Sequence, residues 1–235
     1  MWMSERAIIL VGLITEVLSG ILPSSRSKHD LRAHLEMDFI IPDVISVAPE
    51  DAVEVRYLGG LMVNLGKILY PSQVQFMPYS VDWPTEKDTY YTLIMTDPDY
   101  PARKKHKQRE YQQWLVGNIP GTGVMKGTTL TGYHPPSPPK GTGLHRYAFV
   151  VFKQPHGLIN FTERPIPEKQ KDYRGRFRTM NFSAKYELGA PIAANFFRAE
   201  WTDPEAETTP WHLTTLWFTG TFPPSTKMPR PIDIA

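Results

Sequence analysis

Tyr90-Tyr91-Thr92-Leu93-Ile94-Met95-Thr96 runs directly into Asp97-Pro98-Asp99-Tyr100-Pro101, and further along Gly141-Thr142-Gly143-Leu144-His145-Arg146-Tyr147 runs into Ala148-Phe149-Val150-Val151-Phe152. Each pair couples a polar loop to a segment rich in β-branched and aromatic residues, the composition of a strand. The second apolar segment is almost continuous, as in a central strand covered on both faces. If the two strands are neighbours, two carboxylates, an imidazole and a phenol converge on one rim, where loops carried by a stiff sheet hold binding groups.

Working outward, Val53-Glu54-Val55-Arg56-Tyr57 alternates apolar and polar residues and stops at Gly59-Gly60, the pattern of a half-buried strand. Short strands are also expected at Gly66–Pro71, Val74–Met77, Gln112–Asn118 and Ala190–Trp201, with a short helix at Phe182–Tyr186. No repeat period appears. With 23 prolines against 16 glycines, a large helical bundle is excluded, because proline is poorly tolerated inside helices. The expected fold is mostly β, a large antiparallel sheet with few helices.

The chain has 235 residues, 41% hydrophobic and 21% charged, enough for a well-packed core. Its net charge of +2 lacks the concentrated basic face of a duplex-binding protein, so no nucleic-acid partner is expected. The one dense basic run, Arg103-Lys104-Lys105-His106-Lys107, reads as a solvated loop. The absence of cysteine excludes disulfides, thiol catalysis and thiolate metal sites.

Residues 1–36 read as an N-terminal extension, 37–203 as the domain, and 204–235 as an irregular proline-rich tail with a strand at Leu213–Phe222. Ala7–Ile14 is apolar but too short to span a bilayer, so no transmembrane segment is expected. With Val17 and Ser19 before Gly20 it has the outline of a secretory signal, against which stand Glu5 and Glu16. A cytoplasmic location is expected, secretion being the alternative if residues 1–19 are a signal peptide. Two glycosylation triplets are present, Asn160-Phe161-Thr162 and Asn181-Phe182-Ser183.

Asp97 and Asp99 point the same way in an extended chain, and neighbouring carboxylates resist joint ionisation. Acceptance of turn hydrogen bonds beside proline is the plain alternative. His145 by itself does not distinguish a ligand from a satisfied core residue, and Arg146 is placed to form a bidentate bond with an aspartate. Tyr133-His134-Pro135-Pro136-Ser137-Pro138-Pro139 is too rich in proline for a sheet ladder and reads as a rigid wall. No serine sits in a glycine-framed elbow, and no glycine loop with lysine cradles a phosphate. The seven histidines offer no ligand spacing better than His29 and His34. No enzyme, cofactor or metal is expected.

Taken together, Asp97–Pro101, Arg109-Glu110-Tyr111, Pro138–Tyr147 and Lys185-Tyr186-Glu187-Leu188-Gly189-Ala190-Pro191 resemble the phosphatidylethanolamine-binding protein family, also called the Raf kinase inhibitor protein family. Phe196-Phe197-Arg198-Ala199-Glu200-Trp201 is similar to its animal branch. The resemblance implies a large central antiparallel sheet, a smaller second sheet and a few short peripheral helices. It also implies a shallow, non-enzymatic pocket for a phosphorylated small molecule or phospholipid head group, in a monomer that modulates kinase signalling. By motif position the ligand-binding residues would be Asp97, Asp99, Pro101, Tyr111, Gln113, Pro139, His145 and Tyr147, supported by Arg146 and Arg109. Asp97 is expected to accept from a ligand amine or from His145, keeping the imidazole cationic.

Two departures stand out. Gln113 occupies a position where the family usually has histidine, and loss of that charge is expected to weaken anion binding by about 1–2 kcal/mol. After Asp203 the tail replaces the family's closing helix. Two further readings come with the resemblance. One is a serine protease or kinase inhibitor acting through the Arg103–Arg109 loop or the proline wall. The other is a structural component of a larger assembly, against which the retention of both aspartates stands.

Overall fold

A computed structural model describes residues 28–203. The chain divides after Trp201 into two units, and the described strands and helices all belong to the first. The centre of that unit is a seven-stranded sheet in the order β1-β10-β9-β6-β7-β8, with β4 also paired to β10. The inner strands are β6 (Tyr90–Asp97), β7 (Tyr111–Pro120), β9 (His145–Lys153) and β10 (Pro191–Ala199). They pair antiparallel, with β8 (Thr128–Thr131) beside β7. The short β1 (Asp51–Ala52) and β4 (Lys67–Ile68) lie parallel to β10, so the sheet is mixed at that edge.

The apolar runs in β6 and β9 are continuous because both faces of the sheet are covered. Leu93, Met95, Tyr147, Phe149 and Val151 face one core, shared with Val55, Tyr57 and Val81 of a three-stranded sheet, β3-β2-β5. Those strands are β2 (Glu54–Tyr57), β3 (Leu61–Met62) and β5 (Ser80–Asp82). Ile94, Ala148, Val150 and Phe152, at the alternate positions, face a second core with Leu31, Leu35 and Phe182. Leu31 and Leu35 lie four residues apart on helix α1 (Lys28–Met37), so one face of it packs on the sheet. The packed region thus reaches back past the boundary expected at residue 37. A short turn, α2 (Ile40–Asp43), and helix α3 (Thr179–Lys185) complete this layer.

Val74–Met77 forms no strand: a 3-10 turn over Pro71–Val74 buries Val74 and leaves Phe76 exposed, as proline at the first turn position favours. Strand β8 was not apparent from Thr128-Thr129-Leu130-Thr131, whose polar residues hide the period. The strand expected at Leu213–Phe222 lies outside the described residues. Gly117 of β7 has no side chain where the Phe161 ring closes on the sheet, so a Cβ there would collide with that ring.

Candidate functional site

Strand β6 ends at Asp97 where β9 begins at His145, because Thr96 pairs with Ala148 across the ladder. Asp97 also pairs with Tyr111, the first residue of β7. The two polar loops therefore meet at one end of the sheet. There a cavity of about 520 Å³ is lined by Asp97, Tyr111, Gln113, Pro139 and Tyr147. Five of the eight residues expected to bind ligand are thus brought to one wall.

His145 lies behind that wall. It is fully buried, with Nδ1 2.8 Å from Asp97 Oδ2 and Nε2 2.9 Å from Thr142 Oγ1. The Thr142 hydroxyl donates to the Pro139 carbonyl at 2.7 Å, so its oxygen accepts from His145 Nε2–H. The 2.8 Å approach of Nδ1 to Asp97 Oδ2 accommodates one further proton between them. With it in place the pair has no net charge, whichever partner holds it. Burial raises the Asp97 pKa, against the opposing pull of His145 and of the Asp99 N–H, which donates to Oδ1 at 2.7 Å. Both ring nitrogens of His145 are engaged within the protein, by Asp97 and Thr142, and the imidazole holds the Asp97 carboxyl in place.

Asp99 and Pro101 are not among the residues lining the cavity. Asp99 is fully buried and accepts from Arg146 three times: from the backbone N–H and Nε at 2.9 Å and from Nη2 at 2.6 Å. Burial pushes the Asp99 pKa up, but the bonds and charge of Arg146 outweigh it and hold the carboxyl below its usual value. Arg146 Nη1 donates to the carbonyls of Asp38 and Phe39, and Nη2 also donates to Asp43. Arg109 joins Asp43 to the Pro98 carbonyl. Together these bonds clamp the Asp97–Pro101 loop to the segment that follows α1.

The remaining walls come from Tyr100, Gln108, His134, Ser137, Lys171, Asp172, Tyr173 and Gly175. None of these was singled out as a site residue by sequence. Burial, with Arg174 and Lys171 nearby, lowers the His134 pKa to about 4, so this imidazole is neutral at pH 7. Tyr111 packs between the rings of Tyr100 (4.5 Å) and His134 (5.9 Å), and its O–H donates to the Lys171 carbonyl at 3.2 Å. Arg174 is fully buried beneath this wall. Its guanidinium donates only to backbone carbonyls, including Gln112, Gly132 and Pro167, with no carboxylate in ion-pair range among the described residues.

Two wall groups lack partners. The Tyr147 hydroxyl is buried and makes no hydrogen bond of good geometry, though Asp97 lies within its reach; burial, the charges of Asp97 and Asp99 and that approach raise its pKa well above 10. Gln113 Oε1 is likewise buried and unpaired. Buried polar groups without partners are uncommon; Ser72 Oγ and Trp83 Nε1 are two others in this fold, and Tyr147 and Gln113 are the two that line this cavity. At the pKa it has here, Tyr147 is a hydrogen-bond donor throughout the physiological range.

Comparison with known proteins gives a match of residues 63–197 to the family model described as phosphatidylethanolamine-binding protein. The chain is 33% identical to a Drosophila melanogaster protein described as a candidate odorant-binding protein A5, over 77% of this chain and 85% of that one. It is 38% identical to a 26 kDa secreted antigen of Toxocara canis, over 68% of this chain and 61% of the relative's length. Among solved structures, carboxypeptidase Y inhibitor, determined in complex with its cognate proteinase, superposes with a TM-score of 0.64 at 25% identity. That match covers 76% of this chain and 98% of the inhibitor.

Proposed function

Because the chain belongs to the phosphatidylethanolamine-binding protein family, we propose that it is a non-enzymatic binding protein whose cavity holds a phosphorylated head group. The observation that carries this reading is the buried Tyr147 O–H at the cavity wall, beside the charge of Arg174. A phosphoryl oxygen accepts from the phenol, while the unpaired Gln113 Oε1, an acceptor, takes a donor of the head group, its ammonium or a P–OH. Arg174, with no carboxylate in range, contributes a positive field behind that wall. With a proton between Asp97 and His145, the adjacent carboxylate does not repel the anion. The amine end of a head group has Asp172 and the ring of Tyr100 within the same cavity. A phosphorylated side chain presents the same oxygens, so regulation of a protein kinase would use the same contacts.

Calorimetric titration with inorganic phosphate and with phosphoethanolamine tests this. Saturable binding is expected for both, and Tyr147→Phe should weaken it about tenfold, the worth of one hydrogen bond to a charged acceptor. Gln113→His should strengthen it. Unchanged affinity in Tyr147→Phe would remove the phenol from the site and the reading with it.

A second reading rests on the carboxypeptidase Y inhibitor: the exposed turn Arg103–Lys105 and the proline wall would contact a proteinase. Inhibition that persists with saturating phosphoethanolamine, and is lost on replacing the basic turn, would favour it over the cavity. We also read the protein as secreted, in keeping with the signal-like residues 1–19 and the name of the Toxocara canis relative.

A further inference from the structure

We propose that Asn160 is the N-glycan acceptor of this chain and that Asn181 remains bare; this rests on the secreted reading given above. Both residues head a glycosylation triplet, and both side chains are exposed in the fold. The structure separates them by the backbone each triplet adopts. Residues 159–162 run outside any helix or strand, and Thr162 is exposed like Asn160. Asn181 and Ser183 lie within helix α3, where residues two apart point to opposite sides. Ser183 is also buried and donates to the Gly189 carbonyl at 3.0 Å. The Thr162 hydroxyl is also engaged, with Tyr186 Oη at 3.2 Å, so what separates the two triplets is that Thr162 is exposed on chain outside any helix while Ser183 is buried on the far side of a helix from Asn181.

Asn160 is presented on a fixed support. On one side, Ile159 exchanges two bonds with the Asn118 side chain, at 2.8 and 3.0 Å. On the other, Phe161 stacks on Phe182 (5.9 Å) and meets Tyr186 (4.8 Å), and the Thr162 N–H donates to the Tyr186 hydroxyl at 2.9 Å. Between these anchors the Asn160 amide takes no hydrogen bond among the described residues, so attaching a sugar breaks no contact of the fold. Beside it lies an open concavity of about 670 Å³, lined by Tyr90, Thr128 and Leu158, where the first sugars have room. Leu158 is 64% exposed, an apolar surface that a pyranose ring can cover.

In the transfer, Asn160 Nδ2 forms a bond to the anomeric carbon of an oligosaccharide carried on a lipid diphosphate. The bond from that carbon to the diphosphate oxygen breaks, the lipid diphosphate leaves with the electron pair, and one amide proton passes to a base of the transferase. The chain contributes the acceptor triplet and the room around it.

The test is expression of the full chain in insect cells in two forms, one with its own N-terminus and one behind a cleavable secretion leader. Secreted protein is treated with N-glycosidase F in heavy-oxygen water, which converts each glycosylated asparagine to labelled aspartate. In the leader-driven form, label at Asn160 and none at Asn181 is expected. Asn160→Gln and Thr162→Ala should each abolish the mobility change on digestion, while Asn181→Gln should leave it intact. Unlabelled Asn160 in the secreted protein, or label at Asn181, overturns the proposal. Failure of the native form alone to leave the cell, with Asn160 labelled in the leader-driven form, overturns the secreted reading and leaves the acceptor assignment standing.

Discussion

Replacing Arg146 with alanine is expected to lower folding stability by about 3–5 kcal/mol, the loss typical when one member of a buried ion pair is removed. The side chain is fully buried, and Asp99, equally buried, accepts from its backbone N–H, Nε and Nη2. In Arg146→Ala only the backbone hydrogen-bond donor remains, and the buried carboxylate is left with the longer ion pairs to Arg109 (3.8 Å) and Arg103 (3.9 Å). The carbonyls of Asp38 and Phe39 lose their Arg146 donor as well. Lysine would not restore the arrangement, because one ammonium cannot reproduce the planar fork that reaches Asp99, Asp43 and two carbonyls together. Urea unfolding at pH 7 measures the effect, as a lower midpoint at unchanged slope. A loss below about 1 kcal/mol would mean that the network adds little beyond a surface ion pair. The companion Arg146→Met with Asp99→Leu separates charge from packing: removing both partners should cost less than removing Arg146 alone.

The strands that build the site were legible because their residues are dictated by burial. Leu93 to Met95 and Phe149 to Phe152 are apolar at every position only where both faces of a sheet are covered, and the sequence shows that directly. Helix α1 was not legible: Lys28–Met37 carries only Leu31 and Leu35 as a stripe, too little for a period to emerge from polar surroundings. At the site, sequence and family resemblance together located Asp97 and His145 on one rim, and the ladder register joins them. The role of His145 was not legible, because whether an imidazole faces a ligand or backs a carboxylate depends on Thr142 and Pro139 closing on its far nitrogen. Arg174 escaped notice for a similar reason. Its partners are main-chain carbonyls from three separate segments, and carbonyls leave no mark in a sequence.

Glu110 is another buried group whose partner the sequence does not mark, and it makes one distinct contribution to the pH dependence of the domain. Its Oε1 accepts from the Thr179 N–H at 2.9 Å and its Oε2 from the Thr179 hydroxyl at 2.6 Å, which ties the first turn of α3 to the strand that carries Tyr111. Burial nonetheless raises its pKa from 4.5 to about 7, against the lowering effect of Thr179, Thr96 and Arg178. A folded-state pKa above the unfolded value means that the folded protein binds this proton more tightly. The stability it contributes is therefore complete below pH 4.5 and is lost as pH rises through 7. Over that window the loss amounts to about 3 kcal/mol, from 1.36 kcal/mol per pKa unit. Other groups act in the opposite sense, His134 and Asp99 among them, so the total profile is a sum. The Glu110→Gln variant isolates the one contribution, since the amide oxygen still accepts from Thr179 N–H and carries no charge at any pH. Relative to the parent, Glu110→Gln should gain about 3 kcal/mol between pH 4.5 and pH 8 in urea unfolding. A stability difference that stays level across that range would show that Glu110 is ionised in the fold well below pH 7, with the two Thr179 bonds outweighing its burial.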